Sequence, residues 1–319
     1  MTTKSTSELK RLEDAARAAW LYYVGKNTQD EIAQKLEVSR QSAQRLVALA
    51  VNEGLIQVRL DHPISACMEL AEQLKQKYNL IECEIVPSDP AAPDDGIGLA
   101  QASAKILERY LKSNTPCTLA FGTGRALKGM VDELPSMHCP QHKIVSLLGN
   151  MMRDGSASDF DIVVSMANRV KAKHYPMPLP VIASSEQEKL ILHSLFSVKS
   201  IFELIKQADA TFVGIGQISD NPPLLIDGFI QQQELQQAID DGAAGEIISW
   251  LYNEKGQILQ NSINERVVSS PLYPQTDNPV YGIAAGSKKI TAIKAALNGR
   301  LINSLVTNEF TATQLLASC

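Results

Sequence analysis

Four glycine-containing turns carry the residues of this sequence that are best suited to binding chemistry. They read FGTGR (121–125), GN (149–150), GIG (214–216) and AAGSKK (284–289). Glycine lets a ligand approach the backbone closely, and the free N–H groups at the start of a helix attract anions. Thr123 adds a hydroxyl donor, and Lys288 and Lys289 add positive charge. Together the four turns predict a site for a small anionic molecule.

The segments between these turns predict alternating strands and helices. Short apolar runs typical of buried parallel strands occupy residues 83–86, 117–121, 143–148, 210–216, 280–285 and 302–307. Amphipathic stretches that predict helices occupy residues 98–111, 126–134, 198–208 and 287–298. This order predicts a doubly wound, Rossmann-like α/β sheet, in which ligands bind at the carboxyl ends of the strands. We therefore expect residues 63–319 to form a ligand-binding domain.

The N-terminal segment predicts a different structure, a helix-turn-helix. Apolar residues at helical spacing predict a helix over 9–24 that ends at Gly25. Thr28 and Glu31 have the spacing of a capping box and open a second helix, while Ser39 is suited to cap a third helix that reaches Ala50. Two helices joined by so short a turn are typical of DNA-binding proteins. The alternating residues 55–60 predict a wing, so we expect residues 1–62 to form a winged helix-turn-helix domain.

The third predicted helix presents polar side chains that suit DNA. Arginine recognises guanine or phosphate, glutamine recognises adenine, and serine binds phosphate. The predicted DNA-binding residues are Thr28, Gln29, Ser39, Arg40, Gln41, Gln44 and Arg45. An ordinary small helical bundle with a solvated polar face is the alternative interpretation. Glu37 occupies a turn position where glycine is common, which is a small departure from the motif.

The charge and cysteine distributions agree with this division of the chain. The net charge is −5 overall, but residues 1–60 carry +2 and the remainder carries −7. The five cysteines are scattered, without a C-x-x-C pair, which is typical of reduced thiols. No apolar run is long enough for a membrane span, and the N-terminus lacks a signal-peptide core. We expect a cytoplasmic protein with no cofactor, no metal site and no membrane partner.

Several sequence blocks resemble the SorC family of sugar-responsive bacterial transcription regulators. They are AWLYYVGKNTQDEIA (19–33), FGTG (121–124), ADATFVGIG (208–216), AAGEIISWLYNEKG (243–256) and the tail that starts at Gly282 and ends at Glu309. The resemblance implies an effector domain with the fold of phosphosugar isomerases and glucosamine-phosphate deaminases, used for binding rather than catalysis. It also implies sugar or sugar-phosphate effectors, operator DNA as a partner, and a homo-oligomer, either a dimer or a tetramer.

The resemblance also implies which residues contact the effector. The family's contacts fall on Thr123, Gly124, Leu148, Glu246 and Lys289, with Glu246 accepting sugar hydroxyl groups and Lys289 donating to a phosphate. With the glycine turns, the predicted effector-binding residues are Gly122, Thr123, Gly124, Arg125, Leu148, Gly149, Gly214, Gly216, Glu246 and Lys289.

Two positions depart from the pattern of the family. Some members carry arginine or lysine where this chain has Leu148, and leucine can form neither a phosphate contact nor a Schiff base. Noncovalent binding is therefore expected. Some members also carry two successive threonines where this chain reads GTGR (122–125), which leaves two roles open for Arg125, a phosphate partner or a surface residue.

These observations favour one function and leave two alternatives. The favoured function is a DNA-binding regulator of a carbohydrate-utilisation operon, controlled by a sugar or sugar-phosphate, with no catalytic residues. The first alternative is a phosphosugar isomerase or deaminase fused to a DNA-binding head, for which only Glu246 is available as an acid. The second is an interaction module that binds no effector.

Overall fold

The computed structural model describes residues 6–56, 64–152, 155–158, 161–219, 221–273 and 277–317. Contacts between residues divide the chain into two compact units, Met1–His62 and Pro63–Cys319. They are called here the N-terminal and the C-terminal unit.

Three α-helices form the described part of the N-terminal unit. They are α1 (Thr6–Ala19), α2 (Gln29–Lys35) and α3 (Arg40–Asn52). A π-helical turn, Trp20–Val24, continues α1 as far as Gly25, whose N–H donates to the carbonyl of Trp20 at 2.9 Å. The predicted capping box of Thr28 and Glu31 is present at the start of α2. The Ser39 hydroxyl accepts the N–H of Ser42 and caps α3, as the sequence indicates.

Small and branched apolar side chains hold these helices together. The buried residues of this core are Ala18, Ile32, Ala33, Ala43 and Val47, against which Leu36, Val38 and Leu46 pack partly buried. Residues 57–60 of the predicted wing lie outside the described residues, so the wing stays a prediction.

The C-terminal unit alternates helices and strands along most of its length. Its strands are β1 (Glu82–Val86), β2 (Thr118–Phe121), β3 (Lys143–Met151), β4 (Lys173–Pro180), β5 (Ala210–Gly214), β6 (Gly216–Gln217), β7 (Gly245–Ile247), β8 (Trp250–Tyr252), β9 (Val280–Ile283) and β10 (Ser304–Asn308). Its α-helices are α4 (Ser65–Tyr78), α5 (Leu99–Leu111), α6 (Arg125–Asp132), α7 (Val163–Val170), α8 (Glu186–Ser194), α9 (Phe196–Lys206), α10 (Pro223–Ile226), α11 (Gln232–Asp240), α12 (Ile290–Asn298) and α13 (Glu309–Ala317). Two short 3-10 helices span Asn264–Arg266 and Ser287–Lys289.

Seven of the strands form one parallel sheet, in the order β1-β10-β9-β5-β2-β3-β4. The α/β class and the six predicted strands are thus confirmed. From β2 the chain moves to one side through β3 and β4, and from β5 it moves to the other through β9 and β10. The order therefore reverses between β2 and β5, which is where open α/β sheets bind ligands.

Strand β4 was missed because its sequence, KHYPMPLP, does not look like a buried strand. Prolines at 176, 178 and 180 cannot donate hydrogen bonds to a neighbouring strand. The structure places β4 at an edge of the sheet, where proline is tolerated because one side of the strand needs no partner.

Aromatic rings fix the central strands against one another. Phe212 of β5 stacks on Phe121 of β2, with ring centroids 5.2 Å apart, and on Tyr281 of β9, at 4.9 Å. All three side chains are fully buried. Stacked rings in adjacent strands stabilise one register. The ends of β2, β5 and β9 are thereby held in fixed positions.

A second sheet, absent from the sequence-based expectations, follows β5 directly. Strands β6, β7 and β8 are antiparallel and only two or three residues long. In its register Gly216 lies opposite Glu246, which brings two predicted site residues together.

Candidate functional site

A cavity of about 110 Å³ lies at the carboxyl ends of β2 and β5, where the strand order of the sheet reverses. Most of the predicted effector-binding residues line it: Thr123, Gly124, Arg125, Leu148, Gly214, Gly216, Glu246 and Lys289. Gly122 and Gly149 are not among the lining residues. The turns that follow β2 and β5 thus meet at one site, together with residues of the second sheet and of the segment that follows β9.

The loop after β2 starts a helix at this cavity. The N–H of Gly122 donates to the carbonyl of Phe212 at 2.8 Å, which ties the loop to β5. Gly124 has a φ of 117°, a conformation that favours glycine because it lacks a Cβ. The carbonyl of Gly124 accepts the N–H of Lys128 at 2.9 Å, so α6 begins at Arg125 with its N-terminus beside the cavity.

Glu246 packs closely against the backbone of Gly216. A Cβ on Gly216 would overlap with Oε1 of Glu246 and would lie 2.9 Å from its Cδ. The other carboxylate oxygen, Oε2, accepts the N–H of Ser249 at 2.9 Å. The Glu246 carboxylate is therefore positioned from two sides, by the strand it faces and by the turn that follows it.

That turn is strained. Ile248 and Ser249 connect β7 to β8 with φ angles of 45° and 71°, and both residues line the cavity. Two positive φ angles are typical of a two-residue hairpin turn, but that conformation is unfavourable for a β-branched residue such as isoleucine. Strain of this kind is typical of ligand sites, where the surrounding structure maintains it.

Glu246 and Lys289 perturb each other's ionisation. Burial raises the pKa of the Glu246 carboxyl, while the Ser249 N–H and the charge of Lys289 act in the opposite direction. Burial lowers the pKa of the Lys289 ammonium, which the charge of Glu246 partly offsets. Lys289 also donates to the carbonyl of Ile215 at 2.8 Å. The Glu246 carboxylate can therefore accept hydrogen bonds from sugar hydroxyl groups. Lys289 already donates one of its hydrogen bonds to the backbone of the chain.

Arg125 is paired across the mouth of the cavity. Its Nη2 lies 2.7 Å from Oδ1 of Asp227, and its Nη1 lies 3.3 Å from Oδ2. The Asp227 side chain is 13% exposed, whereas that of Arg125 is 53% exposed. The two roles predicted for Arg125, a phosphate partner or a surface residue, did not include this ion pair. Asp227 follows a short helix that has no recognisable periodic pattern in the sequence.

The AAGSKK turn differs from its prediction as an anion site. The N–H and the hydroxyl of Ser287 donate to the two carboxylate oxygens of Asp94, at 2.7 and 2.8 Å. A carboxylate of the chain therefore occupies this helix start, and Lys288 is not among the residues that line the cavity. Gly149 also has a structural explanation, because a Cβ there would overlap with the carbonyl oxygen of Leu179.

Sequence reasoning missed the segment that closes one side of the cavity. Besides Ile248 and Ser249, the additional lining residues are Ala126, Ile215, Pro223, Leu224, Asp227 and Phe229. A proline pair at 222–223 was the available signal for a turn at this point.

The N-terminal unit presents an exposed polar face on α3. Arg40, Gln41, Gln44 and Arg45 are exposed, and Arg40 forms a 3.4 Å ion pair with the exposed Asp30 of α2. The hydroxyls of Thr28 and Ser39 serve as helix caps, and Gln29 is partly buried. Arginine and glutamine on one exposed helix face are suited to phosphates and base edges.

Within the described part of the chain, no helix is long and apolar enough to span a bilayer. No three His, Cys, Asp or Glu side chains of the described residues are grouped so as to hold a metal ion.

The helix pair and the cavity at the sheet reversal define the class of ligand-responsive transcription regulators. A family model described as "Putative sugar-binding domain" matches residues 62–317. The LsrR transcriptional regulator of Escherichia coli K12 is 30% identical, over 96% of this chain and 95% of its own length. The chain belongs to the SorC family of sugar-binding transcriptional regulators.

Two further relatives cover both units. The erythritol catabolism regulatory protein EryD of Brucella abortus is 28% identical, over 95% of this chain and 96% of its own. The crystal structure of the full-length sorbitol operon regulator SorC of Klebsiella pneumoniae has a TM-score of 0.70 and 26% identity. The structural match covers 96% of this chain and 99% of the Klebsiella pneumoniae chain. The similarity therefore extends through the helix pair as well as the sugar-binding domain.

Proposed function

We propose that this chain regulates a carbohydrate-utilisation operon by binding operator DNA through α3 and a carbohydrate in the cavity. The observation that carries the proposal is the position of Glu246 and Lys289 in one cavity at the sheet reversal. Relatives named for the catabolism of erythritol and for the sorbitol operon support a carbohydrate effector. Because its partner is chromosomal DNA, the protein would act in the cytoplasm.

Binding is expected to be reversible and noncovalent. Leu148 lines the cavity, and leucine can form neither a covalent adduct nor a phosphate contact. The carboxylate of Glu246 lies beside the Gly216 backbone, where it can accept hydrogen bonds from hydroxyl groups of a sugar or polyol.

The test measures DNA binding with and without carbohydrate. Fluorescence anisotropy of the full chain on the DNA upstream of its own operon gives the affinity, and four- to six-carbon polyols and sugars are then added. We expect one of them to shift the affinity for DNA and to raise the melting temperature of the protein. The absence of any shift across the series would contradict the proposal and would favour an effector-blind module.

We also propose that the cavity binds its effector without turnover. The homologous regulators support a binding role, and no enzyme is among the relatives described above. Isomerisation or deamination of sugar phosphates, followed by product analysis, tests this directly. Turnover that Glu246→Gln abolishes would overturn the proposal.

We further propose that the chain forms a homo-oligomer, either a dimer or a tetramer. Apolar side chains are exposed where α8 meets α9, with Phe196 87% exposed and Leu190, Ile191 and Leu195 between 44% and 56% exposed. Exposed apolar clusters are typical of protein interfaces. Light scattering of the full chain gives its mass in solution, and Phe196→Ser is expected to lower it. A monomeric wild type would overturn this proposal.

A further inference from the structure

Two of the turns predicted to bind an anion each hold a residue that is paired with a carboxylate of this chain. At α6, Asp227 is paired with Arg125, through contacts of 2.7 and 3.3 Å. At the 3-10 helix that precedes α12, Asp94 accepts two hydrogen bonds from Ser287. A helix N-terminus favours a negative charge, and at the 3-10 helix Asp94 supplies that charge.

The charges that line the cavity balance one another. Arg125 and Lys289 are its cations, and Asp227 and Glu246 are its anions. The Arg125–Asp227 pair lies at the mouth, and Lys289 interacts with Glu246 and donates to the Ile215 carbonyl. Leu148, which also lines the cavity, adds no charge. The lining thus has no excess positive charge to offer to a ligand.

A phosphate monoester would therefore bind here at a disadvantage. Removing a dianion from water is costly unless cations and hydrogen-bond donors replace its hydration. An uncharged polyol needs only hydroxyl partners, and carboxylates that already face cations accept hydroxyl hydrogen bonds well. The cavity volume of about 110 Å³ also lies below the roughly 300–1,000 Å³ of most ligand pockets, which favours a compact ligand.

We infer that the effector is an uncharged sugar or polyol and that Asp227 excludes its phosphorylated form. This inference rests on the proposed function, because it concerns the ligand of the same cavity. Asp227 acts here as a specificity-determining residue. Its carboxylate forms an ion pair with the Arg125 guanidinium, which would otherwise bind a phosphate.

Isothermal titration calorimetry of the full chain with matched pairs tests the inference. The pairs are the polyols and sugars of the anisotropy series, each with its phosphate ester, and include erythritol with erythritol 4-phosphate and sorbitol with sorbitol 6-phosphate. In the pair that binds, the uncharged member is expected to bind about tenfold or more tightly than its phosphate. Tighter binding of the phosphate by the wild-type chain would overturn the inference while leaving the proposed function intact. If neither member of any pair bound, the proposed function would be contradicted and the inference with it.

Asp227→Asn adds a second comparison, since it leaves the side-chain size almost unchanged and removes the negative charge that faces Arg125. The preference for the uncharged member is expected to fall about tenfold or to reverse. Asp132→Asn is the matched control, because Asp132 is an exposed aspartate on α6 that pairs with Lys128 and does not line the cavity. An unchanged preference in Asp227→Asn, or an equal change in Asp132→Asn, would overturn the role assigned to Asp227.

Discussion

The carboxylate of Glu246 occupies the space that a side chain on Gly216 would need. The two residues lie opposite each other in β7 and β6, and an added Cβ at 216 would meet three side-chain atoms of Glu246. This close approach links the position of the acid to the absence of a side chain across the strand pair. A side chain introduced at position 216 should therefore move the Glu246 carboxylate while leaving Glu246 itself in the sequence.

Gly216→Ala is expected to weaken effector binding about tenfold or more, because Glu246 must rotate away from its hydrogen bond with Ser249. Affinity for operator DNA in the absence of effector should stay within about twofold of wild type. Calorimetry and anisotropy measure the two properties separately. Gly129→Ala is the control, since its Cβ would meet the Cβ of Ala100 at an ordinary 3.4 Å and does not face the cavity. Wild-type effector affinity in Gly216→Ala would contradict the positioning role of Gly216.

Glu246 is expected to give folding stability a distinct pH dependence. Burial raises the pKa of its carboxyl above the ordinary 4.5, so the folded chain holds this proton more tightly than the unfolded chain. This contribution to the free energy of unfolding is fully present below pH 4.5 and is lost as pH rises through the raised pKa. Urea unfolding at a series of pH values measures this contribution, and the difference between wild type and Glu246→Gln isolates the part that comes from Glu246. Parallel stability curves for the two proteins would contradict the raised pKa.

The exposed arginines of α3 are expected to carry DNA affinity. Arg45→Ala or Arg40→Ala should each cost about 1–3 kcal/mol of binding free energy if the side chain reads a base. If it contacts a phosphate instead, the salt dependence of binding should become shallower. Arg17→Ala is the control, because Arg17 is an exposed arginine of α1 that pairs with Glu13. Wild-type affinity and salt dependence in both α3 variants would argue against α3 as the recognition helix.

The backbone conformation at Glu37 is one that glycine adopts more readily than other residues. Its φ is 55°, in the left-handed region, where a residue with a Cβ is disfavoured. Glu37→Gly is expected to stabilise the turn between α2 and α3 by about 0.5–1 kcal/mol, because relief of the left-handed cost of about 1–2 kcal/mol outweighs the extra backbone entropy that glycine loses on folding, whereas Glu37→Ala retains the Cβ and should not. Hydrogen exchange of the α2 and α3 amides in the full chain should slow about two- to fivefold in the glycine variant. Equal exchange rates in the glycine and alanine variants would refute this account.

The sequence predicts the parts of this structure that depend on local periodicity. The six buried strands and the caps at Thr28 and Ser39 follow from residue types a few positions apart. The second sheet does not, because β6, β7 and β8 are too short for any pattern to emerge. Asp227 and Asp94 were missed for a related reason, since each is paired with a residue about one or two hundred positions away in the sequence.

The prolines of β4 also bear on how copies of this chain can associate. An open strand edge attracts other strands, and an eight-residue edge with all of its donors would be an aggregation hazard. Strand β4 lacks three donors, at 176, 178 and 180, and its other side is already paired with β3. Growth of the sheet from one molecule into the next is thereby discouraged at this edge. Any association of copies on this side of the sheet would then depend on side-chain contacts, so the three proline rings, which do not line the cavity, limit where partners can bind.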